Sequence, residues 1–557
     1  MRGAWQAALI ALAVGFAFWP ALRGGWIWDD SIEISQNPVM RDPGGLAEIW
    51  GGRAGADYFP LTATAEWAGW RLRGARPGAD HALSLALHLL SALLFWRLLA
   101  ALGAPLAWAG GLLFGIHPLT VESVAWVSEL KNTLSLPLLL LALLAYLRFD
   151  AARRPAAYAA ALACFLLALL AKSSVVMLPA VILLHAWWRR GRVAAADLRA
   201  AAPFFGLAAA LGGLTVWFQH HRAIAEGHAW AGGWPERLAF AGRAVVFYLD
   251  KTLWPAGLVP VYPLWPWPQA AGLAALSWAV AVALTLWFWR RRRGWGRHAL
   301  LGWGFFVLNL IPVLGLVGMA YLRISRVADH FAYISLLGPA GLAAAGLGRA
   351  WDSLDRRGPR IVLGMAAAGA ALALAGETRA YARVFRSDLS LWSYTLARNP
   401  AAWIAEGNLG YTLFLRDDPA AALPHLRRAL ELRPGYAEAH YNLGTVLLRL
   451  GRPQEAIAEY ERAIALQPAS AGMENNLGSA LAQNGRLAEA AAHFARAVAL
   501  DPDNVEAHHN LGNALLLAGH PAEAAAQYRE ALRLDPGDEA ARTVLRLAEQ
   551  AQSAQNR

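Results

Sequence analysis

Ala4 to Leu22 reads as one apolar run, and the chain leaves it through Gly25-Trp26-Ile27-Trp28-Asp29-Asp30. No charge interrupts the run, and its length matches the ~20 residues that a helix needs to cross a bilayer core. Trp26 and Trp28 follow where the lipid headgroups would begin, the depth that amphipathic rings prefer. Asp29 and Asp30 then stand just outside the hydrocarbon. Carboxylates held against a bilayer are costly, which makes them functional candidates, against the plainer reading of a solvated pair in a loop. Arg2 precedes the run, as in a secretory leader. No small-x-small cleavage pattern separates the run from the tryptophans, so it is read as a retained anchor.

The same reading extends to about Glu377. The chain has 557 residues, 57% of them hydrophobic, with a mean hydropathy of +0.33. Soluble chains are nearer half apolar, and here the excess lies before Glu377. Further candidate spans lie near 80–102, 104–118, 132–149, 156–172, 174–189, 200–219, 270–289, 299–318, 327–348 and 361–377. The net charge of +11 comes from arginine clusters between these runs, not from a nucleic-acid-binding stripe. The clusters are Arg148 with Arg153 and Arg154, Arg189 with Arg190 and Arg192, Arg290 to Arg293, and Arg356 with Arg357 and Arg360. Each is expected on the cytoplasmic side. Residues 237–254 are apolar but carry Arg243, Asp250 and Lys251, and a crossing there would place Arg290 to Arg293 outside. The segment is therefore read as an interfacial or re-entrant helix. About eleven crossings follow, with the N-terminus inside and Asp29, Asp30 and the C-terminal region outside.

Beyond Glu377 the period changes. Asn408, Asn442, Asn476 and Asn510 each open an Asn-Leu-Gly triplet, 34 residues apart, and Pro400, Pro434, Pro468, Pro502 and Pro536 keep the same interval. Gly410, Gly444, Gly478 and Gly512 precede Ala422, Ala456, Ala490 and Ala524 by a fixed step, and Leu426, Tyr460, Phe494 and Tyr528 fill a large-residue position. This is the tetratricopeptide signature, paired helices packed through small residues. The expected organisation is all-α: a multi-span membrane domain over 1–380, a linker helix over 381–400, four repeats with a capping helix over 401–545, and a disordered tail over 546–557. Stacked repeats superpose equivalent positions, so the four asparagines should form a row on one face, able to hold a peptide backbone or to brace neighbouring helices.

The chemistry has to come from the loops. There is no P-loop, no strand-linked Gly-x-Gly-x-x-Gly, no Gly-x-Ser-x-Gly elbow and no His-Glu-x-x-His. Cys164 is the only cysteine, which excludes an intrachain disulfide and a thiolate metal site. His220, His221 and His228 lack the spacing of a ligand set and read as a wet interfacial loop. No metal site is expected. The residues specify no cofactor, and a divalent cation held by the second carboxylate is the one candidate. A membrane enzyme working outside the cell lacks soluble nucleotide donors and needs a lipid-linked one. Such a site needs a carboxylate base, cations for the phosphate and an apolar groove. Asp29 or Asp30 offers the base. Lys131, Lys172, Arg323, Arg326 and His330 offer positive charge, with Arg323 and Arg326 flanking a short outer turn. His117, Glu122, Tyr58 and Asp329 are the candidates for supporting these groups.

These residues also carry a resemblance. Trp28-Asp29-Asp30 after the first run looks like the acidic first-loop motif of GT-C glycosyltransferases. His117-Pro118-Leu119-Thr120-Val121-Glu122-Ser123-Val124-Ala125-Trp126-Val127 resembles the transmembrane and tetratricopeptide repeat-containing O-mannosyltransferases and their bacterial relatives. Tyr58-Phe59-Pro60-Leu61-Thr62 resembles that family's Tyr-Arg-Pro-Leu piece, with Phe59 in place of the basic residue. Ala328-Asp329-His330-Phe331-Ala332-Tyr333 and Asp388-Leu389-Ser390-Leu391-Trp392 resemble its later motifs. The resemblance implies a GT-C-like membrane domain in a bacterial inner membrane. It implies transfer of mannose or another hexose from a polyprenyl-phosphate donor to Ser or Thr of proteins outside, with the repeats receiving the acceptor. Membrane lipid is a partner and nucleic acid is not. Two other readings stand beside it: a non-catalytic scaffold recruiting envelope proteins, and a related enzyme acting on a glycan or lipid acceptor.

Overall fold

The computed structural model describes residues 2–224, 233–266, 270–468 and 470–555, and is all-α. It divides into two compact units, Met1–Asn399 and Pro400–Arg557.

The first unit holds the apolar helices. Among the described residues, five are long and apolar enough to cross a membrane: Pro77–Ala101, Val127–Ala152, Ala195–Ala223, Gly272–Arg290 and Arg357–Arg386. Two shorter apolar helices are Gly3–Phe18 and Pro155–Ala171. Against the expectation of about eleven crossings, those five are the described helices that reach the length and hydropathy of a full span. Every apolar run is helical, but four of them are cut short where a proline falls inside the run. Proline lacks an N–H and favours a first turn, although Pro137 and Pro203 lie inside the long helices Leu130–Ala152 and Ala195–Phe218. The 104–118 run gives Ala107–Gly115 and a 3-10 turn at Pro118–Thr120. The 174–189 run becomes α-helical only at Leu178, with Pro179 in the first turn. Gly296–Leu310 stops before Pro312, and the 327–348 run opens in a 3-10 turn before Leu337–Ser353, where Pro339 sits in the first turn. Residues 234–253 form one amphipathic helix that buries Phe240, Ala244 and Tyr248.

The second unit is four helix pairs. They are Trp403–Leu415 with Pro419–Leu432, Ala437–Arg449 with Pro453–Leu466, Ala471–Gln483 with Leu487–Leu500, and Val505–Leu517 with Pro521–Leu534. The periodic glycines explain the pairing. A Cβ on Gly478 would come within 2.7 Å of the Phe494 ring, and its counterparts face Leu426, Tyr460 and Tyr528 in the same way. Ala422, Ala456, Ala490 and Ala524 are fully buried at the opposing positions. A second bond recurs within each pair, at positions 19 residues apart. Glu406 meets His425 at 2.7 Å, His440 meets Glu459 at 2.6 Å, and Glu474 meets His493 at 2.6 Å. In the last pair His508 meets Gln527 at 2.7 Å. Acid and base exchange helices from one repeat to the next, and the bond survives. A closing helix, Glu539–Gln555, continues through most of the stretch expected to be disordered, because Ala541 and Ala548 fall on one face and are buried.

Candidate functional site

Trp28 is the pivot of the acidic loop. Its φ of 55° is left-handed, which is unfavourable for a bulky side chain and persists only where neighbours impose it. Those neighbours are present. The Trp28 N–H donates to Asp388 Oδ1 at 2.8 Å, its ring stacks on Trp126 at 4.6 Å, and Trp392 packs edge-on at 4.9 Å. The left-handed residue turns the chain sharply and sends the next two carboxylates to different places.

Asp30 is fully buried. It accepts hydrogen bonds from the Ile27 N–H at 3.0 Å, the Ser128 N–H at 2.8 Å and the Ser128 hydroxyl at 2.6 Å. A carboxylate so committed is a buttress between two loops. Asp29 stays half-buried, accepts from the Trp126 indole N–H at 3.1 Å and lies in the field of Lys131. Glu33, on the same helical face one turn on, shares that field, and its N–H donates to the Asp29 carbonyl at 2.9 Å. Burial pushes Asp29 up to about 6 and both Asp30 and Glu33 up to about 7, with Lys131 pulling Asp29 and Glu33 back. Asp29 therefore suits general-base work near neutral pH.

Glu129, buried, is the centre of the neighbouring group. It accepts from Lys172 Nζ at 3.0 Å and Asn132 Nδ2 at 2.5 Å, and Lys131 Nζ lies 3.5 Å away. His330 Nε2 lies 3.9 Å from it. Glu122, fully buried, accepts from the His330 N–H at 2.9 Å and lies 3.2 Å from its Nδ1. Tyr321 and Trp126 pack edge-on against the His330 ring. Lys131, Lys172, His330 and Glu122, chosen on separate segments, thus meet in one place, joined to Asp29 through Trp126 and Lys131. The two lysine side chains are largely buried and keep 18% and 12% of their surface.

Sequence reasoning did not assign Glu33, Ser128, Glu129 or Asn132 to the site. Glu33 had a legible signal, its i+4 spacing from Asp29. The partners of the other three are set by distant chain segments, as in the contact between Asn132 and the His330 carbonyl 198 residues away.

Other candidates do different work. His117 caps a turn, accepting from the Leu119 N–H at 3.2 Å and meeting the Thr252 carbonyl at 3.1 Å. The Tyr58 hydroxyl donates to the Trp50 carbonyl at 3.3 Å and its ring stacks on Phe218. In the same motif Thr62 donates to the Ala171 carbonyl at 2.9 Å, which anchors the residue before Lys172. Asp329 is buried and accepts from Tyr262 at 2.7 Å and Tyr381 at 3.0 Å. Arg323 donates to the carbonyls of Ala320 and Ala223, both at 3.4 Å. Arg326 donates to the Leu322 carbonyl and lies over the Phe240 ring. These contacts tie the turn to Ala223 and to the 234–253 helix, and none of them involves Glu129. His220 and His221 are on a π-helical turn, and His228 lies outside the described residues. Among the described residues, no group of three or more His, Cys, Asp or Glu is arranged to hold a metal ion. In the solenoid, Asn476 donates to the Tyr441 hydroxyl at 2.7 Å and Asn510 to Asn475 Oδ1 at 3.0 Å, so both tie successive repeats. Among the described residues, the side chains of Asn408 and Asn442 make no hydrogen bond.

Tetratricopeptide repeat models match residues 400–469 and 475–539. The C-terminal unit is a tetratricopeptide-repeat array. A protein O-mannosyl-transferase of Caenorhabditis elegans is 25% identical over 132 residues, covering 21% of this chain. The matched part spans 19% of that relative's length. Among solved structures, MamA is 25% identical over 27% of this chain and 86% of its own, with a TM-score of 0.26. YrrB, described as a tetratricopeptide-repeat protein with an unusual peptide-binding site, is 24% identical over 28% and 80%, with a TM-score of 0.26. The five long apolar helices are those of a multi-pass membrane protein.

Proposed function

We propose that this protein is a GT-C-type membrane glycosyltransferase. It moves a hexose, mannose or a close relative, from a polyprenyl phosphate to Ser or Thr hydroxyls of proteins outside the cytoplasm. The observation that carries this reading is a half-buried carboxylate, Asp29, in the field of Lys131, whose ammonium shares Glu129 with that of Lys172. The partial likeness to an O-mannosyl-transferase supports it.

In this reading Asp29 takes the proton of the acceptor hydroxyl. The freed oxygen attacks the anomeric carbon, the bond from that carbon to the phosphate oxygen breaks, and the phosphate leaves with the negative charge. Lys131 and Lys172 stabilise that charge, and Glu129 keeps both ammonium groups in position. Asp30, first considered beside Asp29 as the base, instead fixes the loop. Glu122 sets the orientation of His330. Arg323 and Arg326 hold the turn that carries Tyr321, so the lysines replace them as the proposed phosphate ligands. The repeats recruit the protein acceptor. In this reading the arginine clusters lie in the cytoplasm and the site faces outward from a bacterial inner membrane, an orientation the positive-inside tendency supports.

The test is transfer in proteoliposomes from a polyprenyl-phosphate hexose to a Ser/Thr peptide, read as a hexose increment in peptide mass. Asp29→Asn keeps the shape and loses the base, and should lower the rate by about 10²–10⁴-fold. A non-catalytic scaffold predicts no transfer by the natural protein. Equal transfer by the two proteins removes Asp29 from the reaction.

A further inference from the structure

The far end of the same helices holds a second feature. The helices Gly296–Leu310 and Leu337–Ser353 touch where Gly338 meets Gly302, and a Cβ on Gly338 would lie 2.2 Å from the Gly302 carbonyl oxygen. Two turns further along, Gly346 has nothing within 4 Å of a Cβ. The pair is pinned at one end and splayed at the other. The wedge between them is an apolar cavity of about 380 Å³, closed by the C-terminal halves of Pro77–Ala101 and Leu130–Ala152 and by Leu178–Arg190. Phe95, Leu99, Leu147, Ile182 and Leu342 line it.

Polar side chains are few: His185 and Tyr146, both buried, and Arg349, His298 and Trp188, whose indole N–H donates to His298 Nδ1 at 3.2 Å. The nearby acids are already engaged. Asp150 pairs with Arg153, Arg189 and Arg190, and Asp197 pairs with Arg190. Arg349 is exposed and, among the described residues, makes no ion pair, not even with Asp352 one turn on. The mouth opens at the arginine-rich helix ends, opposite the Asp29 group. An apolar cleft open to a bilayer has too few polar partners to hold water. It matches a hydrocarbon chain, and an unpaired guanidinium at its rim matches a phosphate.

The geometry points to a phospholipid site: one acyl chain fills the wedge and the anionic headgroup phosphate binds Arg349. The site is independent of sugar transfer. Its occupant holds the splayed helices apart, as a structural wedge.

Native mass spectrometry of the full chain in detergent tests this, with dioleoyl phosphatidylglycerol and dioleoyl phosphatidylcholine added in turn. The natural protein should retain the anionic lipid in preference. Arg349→Ala, at an exposed position that does not threaten folding, should weaken retention about tenfold, the worth of one charge-assisted hydrogen bond. Gly346→Phe should fill the mouth and abolish both adducts. Equal retention of the two lipids, or retention unchanged in Arg349→Ala, overturns the proposal. So does full displacement of the lipid by glycerol phosphate, because the chain would then contribute nothing.

Discussion

The two units are both helical, yet they are held together over very different distances along the chain. In the solenoid, the acid–base bonds join residues 19 apart and the asparagine bonds join residues 35 apart. In the membrane unit, Asp30 reaches Ser128 across 98 residues, Glu122 reaches His330 across 208, and Trp28 reaches Asp388 across 360. A local bond repeats whenever the sequence repeats. A long-range bond occurs once, and its loss has no neighbour to compensate. The solenoid should therefore bend under substitution where the membrane unit breaks.

The largest expected effect lies in the membrane unit. Burial raises Asp29 to about 6, and a base must be ionised to work. Transfer should fall about tenfold for each pH unit below about 6, or ~100-fold over two units. A flat rate–pH profile in proteoliposomes from pH 4 to 7 would show that no group of this kind limits the reaction.

Next comes Asp30→Ala. It leaves three donors on two loops without an acceptor, and should lower stability by about 3 kcal/mol. Intrinsic-fluorescence melts in detergent would read this as a lower Tm. A Tm within a degree of the natural protein would mean that the single-copy bonds are no more critical than the repeated ones.

Gly478→Ala gives the matching measurement in the solenoid. Its methyl group must displace the Phe494 ring, at about 2 kcal/mol. Amide exchange should quicken in residues 471–500 and fade with distance through the neighbouring repeats. Equal acceleration across all four repeats would make the array one cooperative block and weaken the contrast.

The smallest effect is a pH response. The hydrogen bond that His440 donates to Glu459 raises its pKa above the ordinary 6.5, although burial opposes it. A folded value above the unfolded one gives stability that is complete below pH 6.5 and is lost as the pH rises through the raised value. Exchange in residues 437–466, corrected for its intrinsic pH dependence, should show protection falling by less than ~1 kcal/mol over that window. Glu459→Gln should flatten the change, and a change that persists would assign it to another group.

The sequence by itself determined the class of each unit. Apolar runs with arginine clusters between them are one-dimensional facts, and so is a 34-residue repeat. It also picked out Asp29, Lys131, Lys172, Glu122 and His330, because charges beside apolar runs are conspicuous anywhere in a chain. It did not separate Asp29 from Asp30. Adjacent residues of one type are equivalent in a string, and only the left-handed turn at Trp28 sends one to Ser128 and leaves the other facing Lys131. Nor did it reveal Glu129 as the group joining both lysines, or the contacts of Arg323 with the Ala223 carbonyl and of Arg326 with the Phe240 ring. Proline alone did not decide span length: Pro179, Pro312 and Pro339 fall at helix starts or stops, whereas Pro137 and Pro203 lie inside long helices. The rest depended on which segments meet, and that is decided by packing summed over the whole unit rather than by any local pattern.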